Sequence, residues 1–249
     1  MCRYNPSSPP PGALPPARGT APRGGPKAVH PPGPGSWGPN PGPLQAAALG
    51  AQARFLRRVH DGDHPHHVRP VVLDALAPRG HLVAHSYGCV TAVLAAAACP
   101  DVVASLVLCE PPFVGLTAGW PQTDAHVAAL APLFDRKDDP TFTDLEFSAG
   151  FARAVGMPVP DFTPEQLARS AARLRAFTPA WLIPLDPAIV SEVPTLVVTS
   201  GARDIYDEVA QVLEGHGARR LVLAGYGHRV QDHPAATTHF QAFWASVPD

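Results

Sequence analysis

The residue in this sequence that is best placed to carry out chemistry is Ser86. It follows directly on the apolar run 81–85 (HLVAH) and precedes the small, apolar stretch 87–98 (YGCVTAVLAAAA). A strand that ends at a serine and turns at once into a helix lifts the hydroxyl above the sheet. Ala84 and Gly88, two residues to either side, are small enough for the tight turn that this requires. We therefore predict that Ser86 is a nucleophile, rather than only the N-cap of a strand–helix junction.

The run 81–88 (HLVAHSYG) resembles the strand, nucleophile elbow and helix of the α/β-hydrolase superfamily. The first small position of the elbow is commonly Gly in that family and is Ala84 here. The resemblance implies an α/β fold with a mostly parallel sheet flanked by helices, and a triad in the chain order serine, acid, histidine. It also implies that the backbone N–H of Tyr87, at the start of the helix, donates to an oxyanion.

Two later segments resemble the acid and histidine loops of the family. Residues 193–204 (VPTLVVTSGARD) have the form of a strand followed by a Gly-x-x-Asp turn that ends at Asp204. Residues 220–234 (RLVLAGYGHRVQDHP) have the form of a last strand followed by a Gly-His turn at His228. The resemblance implies that His228 accepts the serine proton, while Asp204 orients the imidazole and stabilises it when charged.

Other residues compete for these roles. Glu110 lies just past a strand end, where some family members carry the acid, and Asp207 lies one turn further along the chain than the predicted acid. His233 and His239 are near the predicted base, but neither follows a strand and a Gly turn. His85, immediately before the nucleophile, is predicted to be a packed neighbour rather than a second base.

The N-terminal part of the chain fits the family less well. Residues 29–37 (VHPPGPGSW) resemble the His-Gly-rich loop that supplies a second oxyanion donor, but Pro31 and Pro32 stand where the donor should be. Proline has no N–H, so Gly33 is the predicted donor, or else the oxyanion hole has one donor only. No apolar strand is evident before His30. The predicted fold therefore has an abbreviated or irregular N-terminal region.

Composition divides the chain at about residue 43. Residues 1–43 contain 14 Pro and 8 Gly and are predicted to form an irregular segment, because they have little apolar surface to bury. Residues 44–249 are predicted to form the α/β-hydrolase domain. Its strands are expected near the four apolar runs 81–85, 105–109, 195–199 and 220–224.

A helical insertion is predicted between the second and third of these strands, over residues 113–187, as a lid above the site. Its clearest helix covers 164–177, with Thr163 as N-cap and Gln166 closing a capping box. The lid is expected to line an apolar pocket. The candidate lining residues, each of which could instead be lid core, are Trp120, Phe151 and Trp181, together with Phe113 and Phe177.

Outside the lid, residues 44–59 are compatible with a helix, and 68–77 are predicted to form a short helix with Pro70 in its first turn. The intervening segment 60–67 (HDGDHPHH) is predicted to be a polar loop, since its spacing fits no known metal site. The cysteines are expected to be reduced and structural.

The net charge of −2 and the pI near 6.6 give no indication of a nucleic-acid partner or an anionic membrane. No run of about 18 apolar residues predicts a membrane span, and a cytoplasmic protein is expected. We predict a cofactor-independent and metal-independent serine hydrolase that acts on a small ester, lactone or related carbonyl compound through an acyl-enzyme. Haloalkane dehalogenases and epoxide hydrolases of this fold use an Asp nucleophile, which Ser86 argues against. Carbon–carbon bond hydrolases and cofactor-free haloperoxidases of this fold share the serine triad and remain open. The alternative is a catalytically silent homologue that serves as a binding or scaffold protein.

Overall fold

Apolar strands that alternate with helices build a six-stranded sheet. The computed structural model describes residues 28–31, 43–56, 65–159 and 161–248. Every strand pair in it is parallel, in the order β2-β1-β3-β4-β5-β6. The strands are β1 (Ala28–His30), β2 (Ala53–Phe55), β3 (Gly80–His85), β4 (Val103–Cys109), β5 (Thr195–Thr199) and β6 (Arg219–Val222). The predicted α/β fold with a mostly parallel sheet is thus confirmed.

The centre of the sheet is formed by β3 and β4. All seven residues of β4 are buried, as expected for a continuous apolar strand that helices cover on both faces. The two strands pair so that His85 lies opposite Cys109, which means that they end side by side. Residues that directly follow these two strands therefore emerge next to each other at one edge of the sheet.

Helices cover both faces. Leu82 and Leu108 pack on one face in a cluster that also contains residues of α2, α3 and α8, whereas Val83 and Val107 pack on the other face with Phe240 of α9. The helices outside the lid are α1 (Pro43–Leu49), α2 (Pro65–Leu76), α3 (Gly88–Ala98), α7 (Ile189–Glu192), α8 (Asp204–Gly215) and α9 (Ala236–Ala245). In the described parts of the chain, no helix combines the length and apolar character needed to cross a bilayer.

Three helices lie between β4 and β5: α4 (Pro121–Asp135), α5 (Asp144–Ala154) and α6 (Pro164–Arg175). The capping box predicted between Thr163 and Gln166 is present, and a second one joins Thr143 to Glu146 at the start of α5. These reciprocal hydrogen bonds satisfy backbone groups that would otherwise be unpaired at a helix start. The three helices share an apolar cluster that includes Leu130, Phe134, Phe142 and Phe147.

The N-terminal strands differ from the prediction. Residues 28–30 form β1, although no strand was expected there, and the helix expected over 44–59 ends at Leu49 and gives way to β2. Strands of three residues are too short to show an alternating pattern. They form because β1 pairs with β3 on one side and with β2 on the other. Most of the segment 1–43 lies outside the described residues.

Helix α2 also corrects the prediction. It begins at Pro65, so that residues 65–67, expected in a loop, are helical, and Pro70 is its sixth residue rather than part of its first turn. An interior proline costs a helix about 3 kcal/mol. The buried residues Val72, Leu73 and Leu76, which join the core cluster with α3, offset that cost.

The cysteines correct one further expectation. Cys89 and Cys109 are free and buried, as predicted. Cys99, which follows the last turn of α3, is disulfide-bonded instead of reduced.

Candidate active site

Ser86 occupies a sharp turn between β3 and α3. Its φ angle is +53°, in the left-handed region that non-glycine residues rarely adopt. Two hydrogen bonds of 2.9 Å hold it there: its N–H donates to the carbonyl of Cys109, and its own carbonyl accepts from Cys89 N–H. A strained backbone held from both sides is a feature of functional sites, and it projects the serine side chain above the sheet edge.

His228 reaches Ser86 from the opposite end of the chain. It follows β6 in a 3-10 turn over Gly227–Asp232, and Gly225 and Gly227, with φ of +95° and +50°, allow the tight reversal that precedes it. His228 Nε2 lies 3.1 Å from Ser86 Oγ. This is hydrogen-bond distance, and it joins a serine hydroxyl to a base that can accept its proton.

The carboxylate beside this histidine is Glu110. It directly follows β4, has a φ of +51° and is fully buried. Its Oε2 lies 3.8 Å from His228 Nδ1, while its Oε1 accepts a hydrogen bond from Ser200 N–H. Glu110 thus holds the position that an acid needs in order to face the second ring nitrogen of His228.

The prediction that Asp204 takes this position is corrected by the structure. Asp204 is the exposed first residue of α8, where a carboxylate is stabilised by the helix dipole, and no ion pair joins it to His228. The other rival, Asp207, is bound to Arg220 at 2.6 Å and to Thr199. The loop after β5 therefore brings neither carboxylate to the imidazole.

Two aromatic side chains and a backbone contact position the His228 ring. Tyr206 stacks on it with centroids 5.2 Å apart, and the His85 ring lies 4.6 Å away on another side. His85 Nε2 also lies 2.6 Å from the His228 carbonyl oxygen. Burial, and secondarily the charge of His228, lowers the pKa of His85 to about 3, so that a neutral ring donates this hydrogen bond. His85 is thus packed against His228.

A cavity of about 300 Å³ lies over Ser86 and His228 and extends beneath the lid helices. Phe151 and Trp181, two of the predicted lining residues, do line it, together with Phe177. Trp120 does not, because it is held in the turn that starts α4, and Phe113 is buried in the main core cluster. The lid side of the cavity is therefore mainly apolar.

Polar side chains also line the cavity. They include Gln45, Gln231 and His30, and also Arg203 and His126. Burial, with a contribution from the charge of Arg203, lowers the pKa of His126 to about 4. Sequence reasoning missed the glutamines and Arg203, since they come from separate segments and belong to no motif.

The residues predicted for the oxyanion hole are only partly described. Tyr87 is the N-cap of α3, and its hydroxyl donates to the Thr178 carbonyl at 2.9 Å while its ring packs 3.9 Å from that of Phe177. Pro31 lines the cavity but has no N–H to donate. Gly33, the predicted second donor, lies outside the described residues.

Within the described ranges, no group of three or more His, Cys, Asp or Glu side chains is arranged so that it could hold a metal ion. Residues 60–64 of the histidine-rich segment lie outside those ranges.

Comparison with known proteins agrees with the fold. The chain belongs to the α/β-hydrolase family, whose model matches residues 8–239. Among curated protein sequences, no significant match is found.

Several solved structures share the fold at low sequence identity. NosK from Streptomyces actuosus is 22% identical, with a TM-score of 0.58 over 90% of this chain and 100% of that one. An epoxide hydrolase from metagenomes of hot environments is 16% identical, with a TM-score of 0.59 over 91% and 93% of the two chains. A carboxylesterase of the thaumarchaeon Nitrososphaera gargenis is 13% identical, with a TM-score of 0.56 over 90% and 92%.

Proposed function

We propose that this protein is a serine hydrolase that cleaves a small ester, lactone or related carbonyl compound through a Ser86–His228–Glu110 triad. The observation that carries the proposal is the 3.1 Å contact between Ser86 Oγ and His228 Nε2. Serine hydroxyls are poor nucleophiles until a base accepts their proton. A strained serine at a helix N-terminus, with an imidazole in reach and a carboxylate behind the imidazole, is an arrangement suited to acyl transfer.

The proposed reaction has two halves. Ser86 Oγ attacks the carbonyl carbon as its proton passes to His228 Nε2, and the Tyr87 N–H donates to the resulting oxyanion. The tetrahedral intermediate collapses when the leaving oxygen takes the proton from His228, leaving an acyl-serine. Water then loses a proton to His228 and attacks the acyl carbon, and Ser86 is released with its proton restored.

Glu110 supports both halves through charge. When His228 carries the proton it is an imidazolium, and its Nδ1 side faces the Glu110 carboxylate. Because Glu110 is fully buried, little water screens the attraction between the two charges. The Ser200 N–H holds one carboxylate oxygen and leaves Oε2 directed toward the ring.

The cavity supports a small, largely apolar substrate. Its volume of about 300 Å³ is at the lower end of the range for small-molecule sites, and Phe151, Phe177 and Trp181 provide apolar walls. The resemblance to an epoxide hydrolase extends to the fold alone, because epoxide hydrolases of this fold attack with a carboxylate and the elbow here carries a serine.

A fluorophosphonate probe tests the proposal, because it labels only an activated serine. We expect wild-type protein to be labelled and Ser86→Ala to remain unlabelled. Ser191→Ala is the matched control: Ser191 is exposed on α7 and does not line the cavity, and its loss should leave the label in place. A panel of nitrophenyl esters of increasing chain length then defines the substrate range. An unlabelled wild-type protein would instead favour a catalytically silent homologue with a binding role.

A further inference from the structure

One wall of the cavity carries buried polar atoms that have no partner. Apart from Ser148 Oγ on α5 and Nδ1 of His228, the unpaired atoms of the lining belong to three side chains, each more than nine-tenths buried: His30 Nε2, Gln45 Oε1, and both Nε2 and Oε1 of Gln231. All three residues line the cavity that contains Ser86 and His228. Buried polar groups in folded proteins are nearly always hydrogen-bonded, because leaving them unpaired costs free energy. Four such atoms on one wall indicate that their partners come from the cavity.

The three residues come to the cavity from distant parts of the chain. His30 is the last residue of β1, which pairs directly with β3, the strand that leads to Ser86. Gln231 lies three residues after His228 in the same 3-10 turn. Gln45 lies on α1 and contacts Gln231, since its Nε2 donates to the Gln231 carbonyl.

That bond fixes which atoms remain available. Because Gln45 Nε2 donates to a backbone carbonyl, the Gln45 amide cannot be flipped, and its Oε1 is left as an acceptor. Gln231 offers both a donor and an acceptor whichever way its amide is turned. His30 stacks on Phe55, and burial lowers its pKa to about 3, so that it is an uncharged imidazole. The wall therefore presents donors and acceptors together and no net charge.

A charged ligand does not fit such a wall. A carboxylate only accepts hydrogen bonds and would face the acceptor Gln45 Oε1, and none of the three side chains is a cation that could compensate for its charge. An ammonium group only donates and would find no carboxylate on the wall. An uncharged group that both donates and accepts, as a hydroxyl or a carboxamide does, matches all of the open positions.

We propose that Gln45, Gln231 and His30 form a recognition subsite for an uncharged hydroxyl or carboxamide group of the substrate. This inference rests on the proposed hydrolase function and names the class of substrate that the same site takes. Because Gln231 lies in the same 3-10 turn as His228, and all three residues line the cavity that contains Ser86, the recognised group belongs near the scissile carbonyl. The preferred substrates are therefore acyl compounds that carry a polar, uncharged substituent on the second or third carbon of the acyl chain.

The test compares nitrophenyl hexanoate with nitrophenyl 2-hydroxyhexanoate and 3-hydroxyhexanoate. In wild-type protein, we expect one of the hydroxy esters to exceed the parent ester in kcat/KM by about 10- to 100-fold, as two or more neutral hydrogen bonds would give. Gln45→Met and Gln231→Met keep the side-chain length and should reduce this ratio to near one. Gln211→Met, on the exposed side of α8, is the matched control and should keep the ratio. The ratio of two substrates within one protein cancels any general loss of activity.

A binding measurement covers the case in which turnover itself is altered. Ser86→Ala protein should bind ethyl 2- or 3-hydroxyhexanoate at least tenfold more tightly than ethyl hexanoate by calorimetry. Equal kcat/KM and equal affinity for the hydroxylated and parent esters would overturn the subsite and would mean that buried water satisfies the wall. Fluorophosphonate labelling of Ser86 in wild-type protein separates this result from a failure of the hydrolase proposal, because labelling reports an activated serine whether or not the subsite exists.

Discussion

Glu110 Oε2 lies 3.8 Å from His228 Nδ1, although the two residues follow different strands and are 118 positions apart in the chain. This separation exceeds hydrogen-bond length but lies within the range of an ion pair. The contact therefore matters most when His228 has accepted a proton from the serine, since only then do the two groups carry opposite charges. The Glu110 carboxylate stabilises a neutral His228 ring less.

Replacing Glu110 with glutamine should lower kcat/KM by about 10³–10⁴, the scale seen when a triad carboxylate is neutralised. The side chain keeps its shape, but the charge that stabilises the imidazolium is lost. Asp204→Asn is the matched change at the other acid and should alter kcat/KM by less than about twofold, because Asp204 is exposed on α8. Steady-state hydrolysis of a nitrophenyl ester measures both. A large loss in Asp204→Asn with a small one in Glu110→Gln would reverse the assignment.

Replacing Ser86 with glycine should stabilise the fold relative to Ser86→Ala. A side chain at a φ of +53° is strained, whereas glycine adopts this conformation freely. We expect the free energy of unfolding of Ser86→Gly to exceed that of Ser86→Ala by about 1 kcal/mol. Urea denaturation of the two inactive variants provides the comparison. Equal stabilities would show that the elbow carries no strain.

Stability should fall on acidification in a way that depends on His85. Burial lowers the pKa of this side chain to about 3 from an ordinary value of 6.5. Between these values the unfolded chain binds a proton that the folded protein does not, so that the free energy of unfolding decreases as the pH falls, by up to about 1.4 kcal/mol per pH unit. In His85→Gln this contribution is absent, while the amide can still donate to the His228 carbonyl.

Urea unfolding at pH 8, 6, 5 and 4 tests this expectation. The curves are compared relative to pH 8, where imidazole is neutral in both the folded and the unfolded state. His85→Gln should lose less stability than wild type between pH 6 and 4. Parallel curves for the two proteins would count against a buried, neutral His85.

Chain-length preference should depend on Phe151 and not on Trp120. Phe151 lines the cavity, and Phe151→Ala makes room for about two more methylene groups of an acyl chain. Because each buried methylene contributes about 0.8 kcal/mol, the kcat/KM ratio of an octanoate to a hexanoate ester should rise about tenfold. Trp120→Ala removes an aromatic ring from outside the cavity and should leave the ratio as it is in wild type. A nitrophenyl ester panel gives both ratios.

The central sheet and the serine turn were predictable because their signals are local. The strands around 81–85 and 105–109 are continuous apolar runs, and the elbow needs small residues at fixed offsets from Ser86. The strands β1 and β2 carry no such signal, since three residues show no periodicity and depend on pairing with β3. Their existence is decided by tertiary contacts.

The acid could not be assigned by local pattern. Glu110 and Asp204 both follow apolar strands, and the choice depends on which loop reaches Nδ1 of His228 in three dimensions. The polar wall formed by Gln45, Gln231 and His30 was even less predictable from the sequence. It joins segments that are up to 201 positions apart in the chain, and none of the three residues belongs to a recognisable spacing.

The pairing of His85 with Cys109 has a consequence for how this protein can change. Ser86 and Glu110 each directly follow one of these two residues, each has a left-handed backbone, and each donates its N–H to the neighbouring strand, to Cys109 and Val198 respectively. Their spacing is therefore fixed by the distance between adjacent strands and by no loop. The lid helices α4 to α6 can therefore lengthen, shorten or be exchanged for those of a relative while the nucleophile and the acid stay in place. The apolar part of the substrate pocket and the bond-breaking machinery are thus separate units of inheritance in this fold.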